Sequence, residues 1–389
     1  MEKVRIGIVG IGNMGSNHSR YLTAGDVPDG ELVAVADTNP DRIDWAKQTL
    51  GETVQNFDTA EDMFKSGAVD AVIIATPHYF HPPLAIKAMD LGLHVLIEKP
   101  AGVYTKQVRE LNAIAEKSNR VFGLMFNQRT LSAHQKMKDL VQSGDLGELQ
   151  RTNYIITDWF RSQSYYDSGG WRATWAGEGG GVLMNQCPHN LDLWQWICGK
   201  PNRVRAFIGF GKYHNIEVDD SVTAYVEYEN GGTGVFITTT GEAPGTNRLE
   251  VVGDQGKVVL EGGEITFWRT RDSVGKFCKE YQGGFGSPEV WKCDIPTGSG
   301  GEGHKGITKN WCDAIRNGSD LLAPGTEGIN GLEIANAMLL SAWTDDWVNI
   351  PFDDDLYYQK LQERIDSSTQ DKDPATAKVL IVDSDGTKT

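Results

Sequence analysis

The segment Gly10-Ile11-Gly12-Asn13-Met14-Gly15 follows the β-branched run Val4–Val9 directly and opens a helix-like stretch. In that setting the first glycine permits a tight turn, the second lets backbone amides approach a pyrophosphate, and the third lets helix pack on strand. The helix N-terminus then presents unpaired N–H groups to phosphate. A strand, this turn and a helix in succession constrain the N-terminal part to a dinucleotide-binding βαβ architecture.

The rest of the first third continues the alternation. Leu32–Ala36, Ala71–Ala75, His94–Glu98 and Val121–Phe126 read as strands, with helices from about Met14, Pro40, Pro82 and Thr105. Strict alternation predicts a doubly wound parallel sheet. Beyond about residue 128 the pattern changes to extended runs at 204–210, 222–228, 233–240, 247–252 and 257–260, separated by Gly, Asn and Asp. These predict a largely antiparallel sheet. Helical segments are expected near 131–142, 182–198, 304–317 and 328–347. The fold class is therefore an α/β Rossmann domain over 1–127, an α+β domain over 128–366, and a polar tail over 367–389 that is either loosely ordered or adds Val379-Leu380-Ile381-Val382 to a sheet edge.

Composition narrows the function. At 389 residues the chain exceeds one ordinary core. No window approaches the roughly 18 consecutive apolar residues of a membrane span. The N-terminus runs into its first strand without a signal peptide's apolar core, so export is not expected. Five cysteines without a CxxC pair fit reduced thiols in a cytoplasm. A net charge of −16 with scattered Lys and Arg disfavours nucleic acid.

Asp37 ends the second strand about twenty residues past the glycines, where a carboxylate accepts hydrogen bonds from ribose hydroxyls and repels a 2′-phosphate. NAD is favoured over NADP, with Arg42 close enough in sequence to keep the second open. Two more loops leave strand C-termini, where open α/β sheets bind ligands: Ala75–Pro82 and Glu98–Ala101. Lys99 there can hydrogen-bond a substrate hydroxyl and stabilise a developing alkoxide. Its bland alternative is a solvated loop lysine. Pro100 fixes the local backbone, cis or trans.

GIGNMG, Ala75-Thr76-Pro77, His81, the segment Gly92–Pro100 with its Glu98-Lys99-Pro100, and Gly179-Gly180-Gly181 leading to His189 together resemble the Gfo/Idh/MocA family over residues 3–360. The resemblance implies a Rossmann domain, an open-faced sheet domain that associates into a homodimer or homotetramer, and hydride exchange between a nicotinamide and a secondary alcohol of a sugar, cyclitol or glycoside. By that likeness Gly10, Gly12, Asn13, Met14, Gly15, Asp37, Thr76, Pro77, His81, Glu98, Lys99, Asn127, Trp171 and Arg172 are expected to hold the cofactor. Lys99 and His189 take the catalytic positions. Where many members carry an aspartate, this chain has Asn185, which predicts a less basic His189 and more hydroxyl activation by Lys99. His78 replaces a frequent asparagine.

If 182–198 is one helix, Asn185 and His189 share a face with Asp192 and Trp196, while Leu183, Cys187, Leu191, Trp194 and Cys198 trace a core stripe. Cys187 then points away from His189, and no metal site is expected. Pro188 either bends that helix or starts it. His189 reads as a general base or as a core histidine.

Trp159, Phe160, Arg161, Tyr165, Tyr166, Trp171, Arg172 and Trp175 precede the glycine run. Aromatic faces stack on sugar C–H faces and guanidinium donors fix hydroxyls. The substrate is expected against Lys99, Asn127, Arg129, Trp159, Arg161, Tyr166, Trp171, Asn185 and His189, with Gln128 nearby. The leading reading is a cytoplasmic NAD-dependent dehydrogenase of a sugar, inositol or glycoside, the last oxidised at C3. The alternatives are an NAD-retaining glycosidase working by transient oxidation and elimination, and a non-catalytic NAD-binding sensor or subunit.

Overall fold

The computed structural model describes residues 3–370, so most of the polar tail, including Val379–Val382, lies outside the described residues. Strands β1 (Val4–Val9), β2 (Gly30–Ala36), β3 (Gln55–Phe57), β4 (Ala71–Ile74), β5 (His94–Ile97) and β6 (Phe122–Leu124) form a parallel sheet in the order β3-β2-β1-β4-β5-β6. Helices on its two faces close Ile6, Ile8, Val72, Ile73 and Leu96 completely from solvent. Each such side chain contributes roughly 2 kcal/mol by burial.

Local chemistry sets the helix starts. Asn39 accepts from Asp41 N at 2.9 Å, and Pro40, lacking an N–H, takes the first helical position of Pro40–Thr49. Thr59 caps the short helix Ala60–Lys65 in the same way. That helix and β3 are too short to show a period in the sequence.

The ends of β1, β4 and β5 are brought side by side by hydrogen bonds from Ala75 N to Val9 O (2.8 Å) and from Glu98 N to Ile74 O (2.9 Å). The glycine turn, the Ala75–Pro82 loop and the Glu98–Ala101 loop therefore meet at one edge of the sheet.

Among the described residues the second sheet has nine strands: β7 (Leu149–Ile156), β8 (Arg203–Phe210), β9 (Asp219–Glu227), β10 (Thr233–Thr239), β11 (Asn247–Gly253), β12 (Gly256–Glu261), β13 (Glu264–Thr270), β14 (Val290–Ile295) and β15 (Val348–Asn349). Their order is β14-β13-β12-β11-β7-β10-β9-β8-β15, and only the β7–β10 pair is parallel. β7 is central yet reads Leu-Gln-Arg-Thr-Asn-Tyr-Ile-Ile, whose run of four polar residues, 150–153, conceals it. Helices Pro188–Cys198 and Gly328–Thr344 cover one face: Trp194 stacks on Phe236 with centroids 5.3 Å apart, and Ser341 Oγ accepts from Ala206 N at 3.0 Å. The opposite face is open, with Phe207 63% exposed beside exposed Tyr225 and Trp347.

The expected helix over 182–198 begins only at Pro188; residues 182–187 are turns. Cys187 N reaches back five residues to Val182 O (2.9 Å), and Pro188 has no N–H to offer Met184 O, so these turns do not run on into the helix. Asp219 caps them: its carboxylate accepts from Gly181 N (2.7 Å) and Leu183 N (2.9 Å), and its backbone carbonyl from Val182 N (2.8 Å). Pro188 is the helix start rather than a kink. Helix Gly303–Asn317 returns to the first sheet: Thr308 Oγ1 meets Tyr21 OH at 2.8 Å, and a Cβ on Gly123 would lie 3.3 Å from Trp311. One more helix, Asp354–Asp366, occupies what sequence showed only as a polar approach to the tail; Asp353 caps it through Asp355 N and Leu356 N.

Candidate active site

The glycine turn has the close contacts its motif predicts. Gly10 has φ +82°, and a Cβ there would lie 2.8 Å from Ala75 O; one on Gly15 would lie 1.9 Å from Gly10 O. Gly12 faces open space, with nothing within 4 Å of a built Cβ. Asn13 and Met14 begin the helix behind it. Asp37 accepts from Ile11 N (2.8 Å) and Asn39 N (2.9 Å), which fixes its carboxylate beside the turn. Arg42 is committed to the same turn: it donates to Ile11 O at 2.7 Å and Ser16 Oγ at 2.5 Å, and its guanidinium lies over Trp45.

Two residues expected against the cofactor are turned inward instead. His81 is fully enclosed, its ring nitrogens 2.8 Å from Pro100 O and 2.7 Å from Thr76 O. It ties the Thr76-Pro77 loop to the Lys99 loop, whose Lys99–Pro100 peptide is cis. Glu98 points into the core, where Oε1 meets His18 Nε2 at 2.7 Å; His18 Nδ1 meets Tyr21 OH at 2.8 Å. Burial alone would raise the Glu98 carboxyl, but the hydrogen bond and charge of His18, with His304 and Lys99, hold it down to about 2.

Lys99 emerges where these loops meet and donates to the backbone carbonyl of Asn185 at 2.8 Å. Burial depresses its ammonium below the ordinary lysine range; Glu98 and Glu178 push it back up, and Arg172 and Arg161 lower it further. The Asn185 side-chain amide donates to Glu178 Oε1, and Ala173 N donates to Glu178 Oε2 at 2.6 Å. Asn185 is thus in the site, though not on the helix of His189.

His189 sits in the first turn of Pro188–Cys198, 3% exposed, with its ring edge-on to Phe126. Among the described residues its Nδ1 has no hydrogen-bond partner. Burial, and then the charge of Lys99, hold the imidazole well below its ordinary value. Cys187 turns away, with Sγ 2.9 Å from Thr238 Oγ1.

The remaining expected residues divide into two groups. Trp171 and Arg172 face this crevice: Trp171 meets buried His78 edge-on at 5.5 Å, and the Arg172 guanidinium lies 4.9 Å from the Trp171 ring and 4.3 Å from Tyr165. Arg161 lies between the Trp159 and Tyr165 rings, at 5.4 and 5.1 Å. Asn127 is buried three residues past β6, at the start of the single turn Asn127–Thr130, with Oδ1 unpartnered among the described residues.

Arg129, Tyr166 and Asp192 are withdrawn. Arg129 has no exposure and makes two bonds to Asp192 (2.8 and 2.6 Å) and one to Glu327 (2.6 Å), so a substrate cannot reach it. Tyr166 is buried and donates to Thr240 Oγ1 at 2.7 Å. Trp159 is 6% exposed, its indole N–H donates to Asn190, and it supports Arg161 rather than forming the wall itself. Trp175 packs against Phe210 and Trp343.

Sequence reasoning missed Glu178, His18 and Asp219. Glu178 stands immediately before the triple glycine, but a helix would hold residues seven apart about 10 Å from each other along its axis, and only the turn brings Glu178 and Asn185 together. His18 lies one turn past the glycine motif and gives no sign of its partner eighty residues away.

The site fits a dinucleotide. Gly12 leaves room for a pyrophosphate, and four buried polar atoms without partners among the described residues, Thr76 Oγ1, His78 Nδ1, Asn127 Oδ1 and His189 Nδ1, are available to a ligand.

Residues 4–126 match the oxidoreductase family with an NAD-binding Rossmann fold, and residues 134–259 match the GFO/IDH/MocA C-terminal domain. The rhizopine catabolism protein MocA of Rhizobium meliloti is 30% identical over 201 residues, 51% of this chain and 59% of that protein, so the match spans less than two thirds of the relative. The D-glucoside 3-dehydrogenase of Escherichia coli (strain K12) is 30% identical over 251 residues, 59% of this chain and 68% of that protein. The WlbA dehydrogenase from Chromobactrium violaceum, solved with NADH and UDP-GlcNAcA, superposes with a TM-score of 0.77 at 28% identity, covering 91% of this chain and 97% of that one.

Proposed function

The chain belongs to the GFO/IDH/MocA oxidoreductase family, and from that premise we propose that it oxidises a secondary hydroxyl of a sugar, cyclitol or glycoside with NAD. Within that class a glycoside oxidised at ring carbon 3 is the specific case, in line with the D-glucoside 3-dehydrogenase likeness. One observation carries the reading: a partly exposed lysine acts on a buried imidazole that is held well below its ordinary value and whose Nδ1 has no partner among the described residues, both reached from the loops beside the glycine turn.

The glycine turn, Asp37, Thr76, Pro77 and Asn127 hold the cofactor in this reading. NAD, when bound, supplies the hydride acceptor. Lys99 donates a hydrogen bond to the substrate oxygen and stabilises negative charge as it develops there. His189, uncharged at neutral pH, accepts the hydroxyl proton as the C–H bond breaks. Trp171, Tyr165 and the arginines 161 and 172 supply a wall against which a sugar ring stacks.

The test is NADH absorbance from purified protein supplied with NAD and a panel of glycosides, free sugars and inositols. NADH appearing with one ring class supports the reading. No NADH with any member, alongside release of free sugar from a glycoside, would replace it with a redox-neutral glycosidase.

A further inference from the structure

We propose that Glu178 is the positioning carboxylate of this site, holding Lys99 in its protonated, donating state through Asn185. The inference rests on the reading of Lys99 as the group that polarises the substrate hydroxyl.

Asn185 bridges the two residues. Its side-chain amide donates to Glu178 Oε1 while its backbone carbonyl accepts from Lys99 Nζ at 2.8 Å. Glu178 is 1% exposed, and a carboxylate that far from water is costly unless charge compensates it. Burial raises the Glu178 carboxyl above its ordinary value; opposing it are Arg172, whose Nη1 lies 4.0 Å from Oε1, the hydrogen bonds from Asn185 and Ala173, and the charge of Lys99. The titratable and charged groups around Lys99 are Glu98, Glu178, Arg161, Arg172, His78, His81, His189 and Cys187. Glu98 is spent on His18 behind the loop. Glu178 is therefore the carboxylate on the substrate side, among three cations.

A loop-fixing role alone does not need this charge. Glu178 Oε2 accepts from Ala173 N, where φ is +56°, but a glutamine carbonyl would accept the same bond. Asparagine at 185 is then no loss: the site has its carboxylate at 178 and the amide at 185, the amide supplying the donor that a second carboxylate could not.

The experiment titrates Lys99 in the full chain without cofactor, using 13C-labelled lysine Cε and assigning the resonance by its loss in Lys99→Met. Glu178→Gln should move the Lys99 midpoint down by about one pH unit or more. The basic limb of kcat/KM should move down with it. The double variant Glu178→Gln/Asn185→Asp exchanges carboxylate and amide across the same bond and should restore both. An unchanged midpoint in folded Glu178→Gln, or a depressed one in the folded double variant, overturns the proposal. Should Glu178→Gln fail to fold, the double variant decides alone, and failure of both makes Glu178 a structural clamp and overturns it too. Because the titration needs no turnover, a chain that oxidises no carbohydrate defeats the proposed function without obscuring this result.

Discussion

Lys99 Nζ and the carbonyl oxygen of Asn185 are hydrogen-bonded at 2.8 Å across 86 positions of sequence. The bond joins the end of β5 to the turn before His189, so the lysine is aimed by the second domain although the first domain carries it.

Replacing Lys99 by methionine keeps the aliphatic stem and removes the ammonium. Turnover should fall by at least about a hundredfold, the scale of a lost proton-handling group. NADH affinity, read by fluorescence titration, should change less than about threefold, since the glycine turn is untouched. Retained turnover would exclude Lys99 from the chemistry.

Asn185→Asp sets a second carboxylate against Glu178. Two carboxyls sharing one site cannot both ionise freely, so one apparent pKa of the pair rises and a proton is held between them. The pH–rate profile should gain an ionisation in the neutral range. A profile identical to the parent's would mean the two side chains do not share a proton.

Gly12→Ala and Gly15→Ala separate binding from folding. The first adds a methyl to open space on the ligand side, so NAD should bind at least about tenfold more weakly with Tm unchanged. The second drives a methyl into Gly10 O and should cost at least about 2 kcal/mol of stability, read by denaturant unfolding.

Glu98 makes stability depend on acid. Its folded value of about 2 lies below the roughly 4.3 of an unfolded glutamate. Its contribution, on the order of 3 kcal/mol, is complete above the unfolded value and is lost as pH falls through the folded one. Glu98→Gln should flatten the unfolding free energy between about pH 4 and pH 2, and should already be less stable at neutrality because His18 keeps no carboxylate.

Arg129→Met should lower stability by about 3 to 5 kcal/mol through the stranded Asp192. KM for the substrate should stay within about twofold in protein that remains folded, because a fully enclosed guanidinium cannot touch a ligand. A selective rise in KM would put Arg129 back in the site.

The parallel sheet was legible because alternation and glycine spacing are local properties. Val4–Val9 was found to the residue, whereas β3 was too short and β7 too polar to register. Lys99 and His189 could be read because each stands in a distinctive segment. Arg129 and Tyr166 could not be placed, since nothing local tells a crevice side chain from one closed off by Asp192 or Thr240. Asn185 was located by the wrong geometry: helical spacing suggested a shared face with His189, while Asp219 makes the preceding turn from 38 residues away. Glu178 needed that turn before it could meet Asn185 at all.

The return of Gly303–Asn317 to the first sheet limits what can be exchanged between proteins of this shape. Trp311 and Cys312 fill hollows left by Gly123 and Gly30, and Thr308 continues the line from Tyr21 to His18 and Glu98. The nucleotide-binding third is consequently not a self-sufficient cassette. Transplanted alone as residues 1–127, it would carry a bare apolar scar and an unfinished polar chain behind its own lysine loop. A working chimera has to bring the late helix along with it.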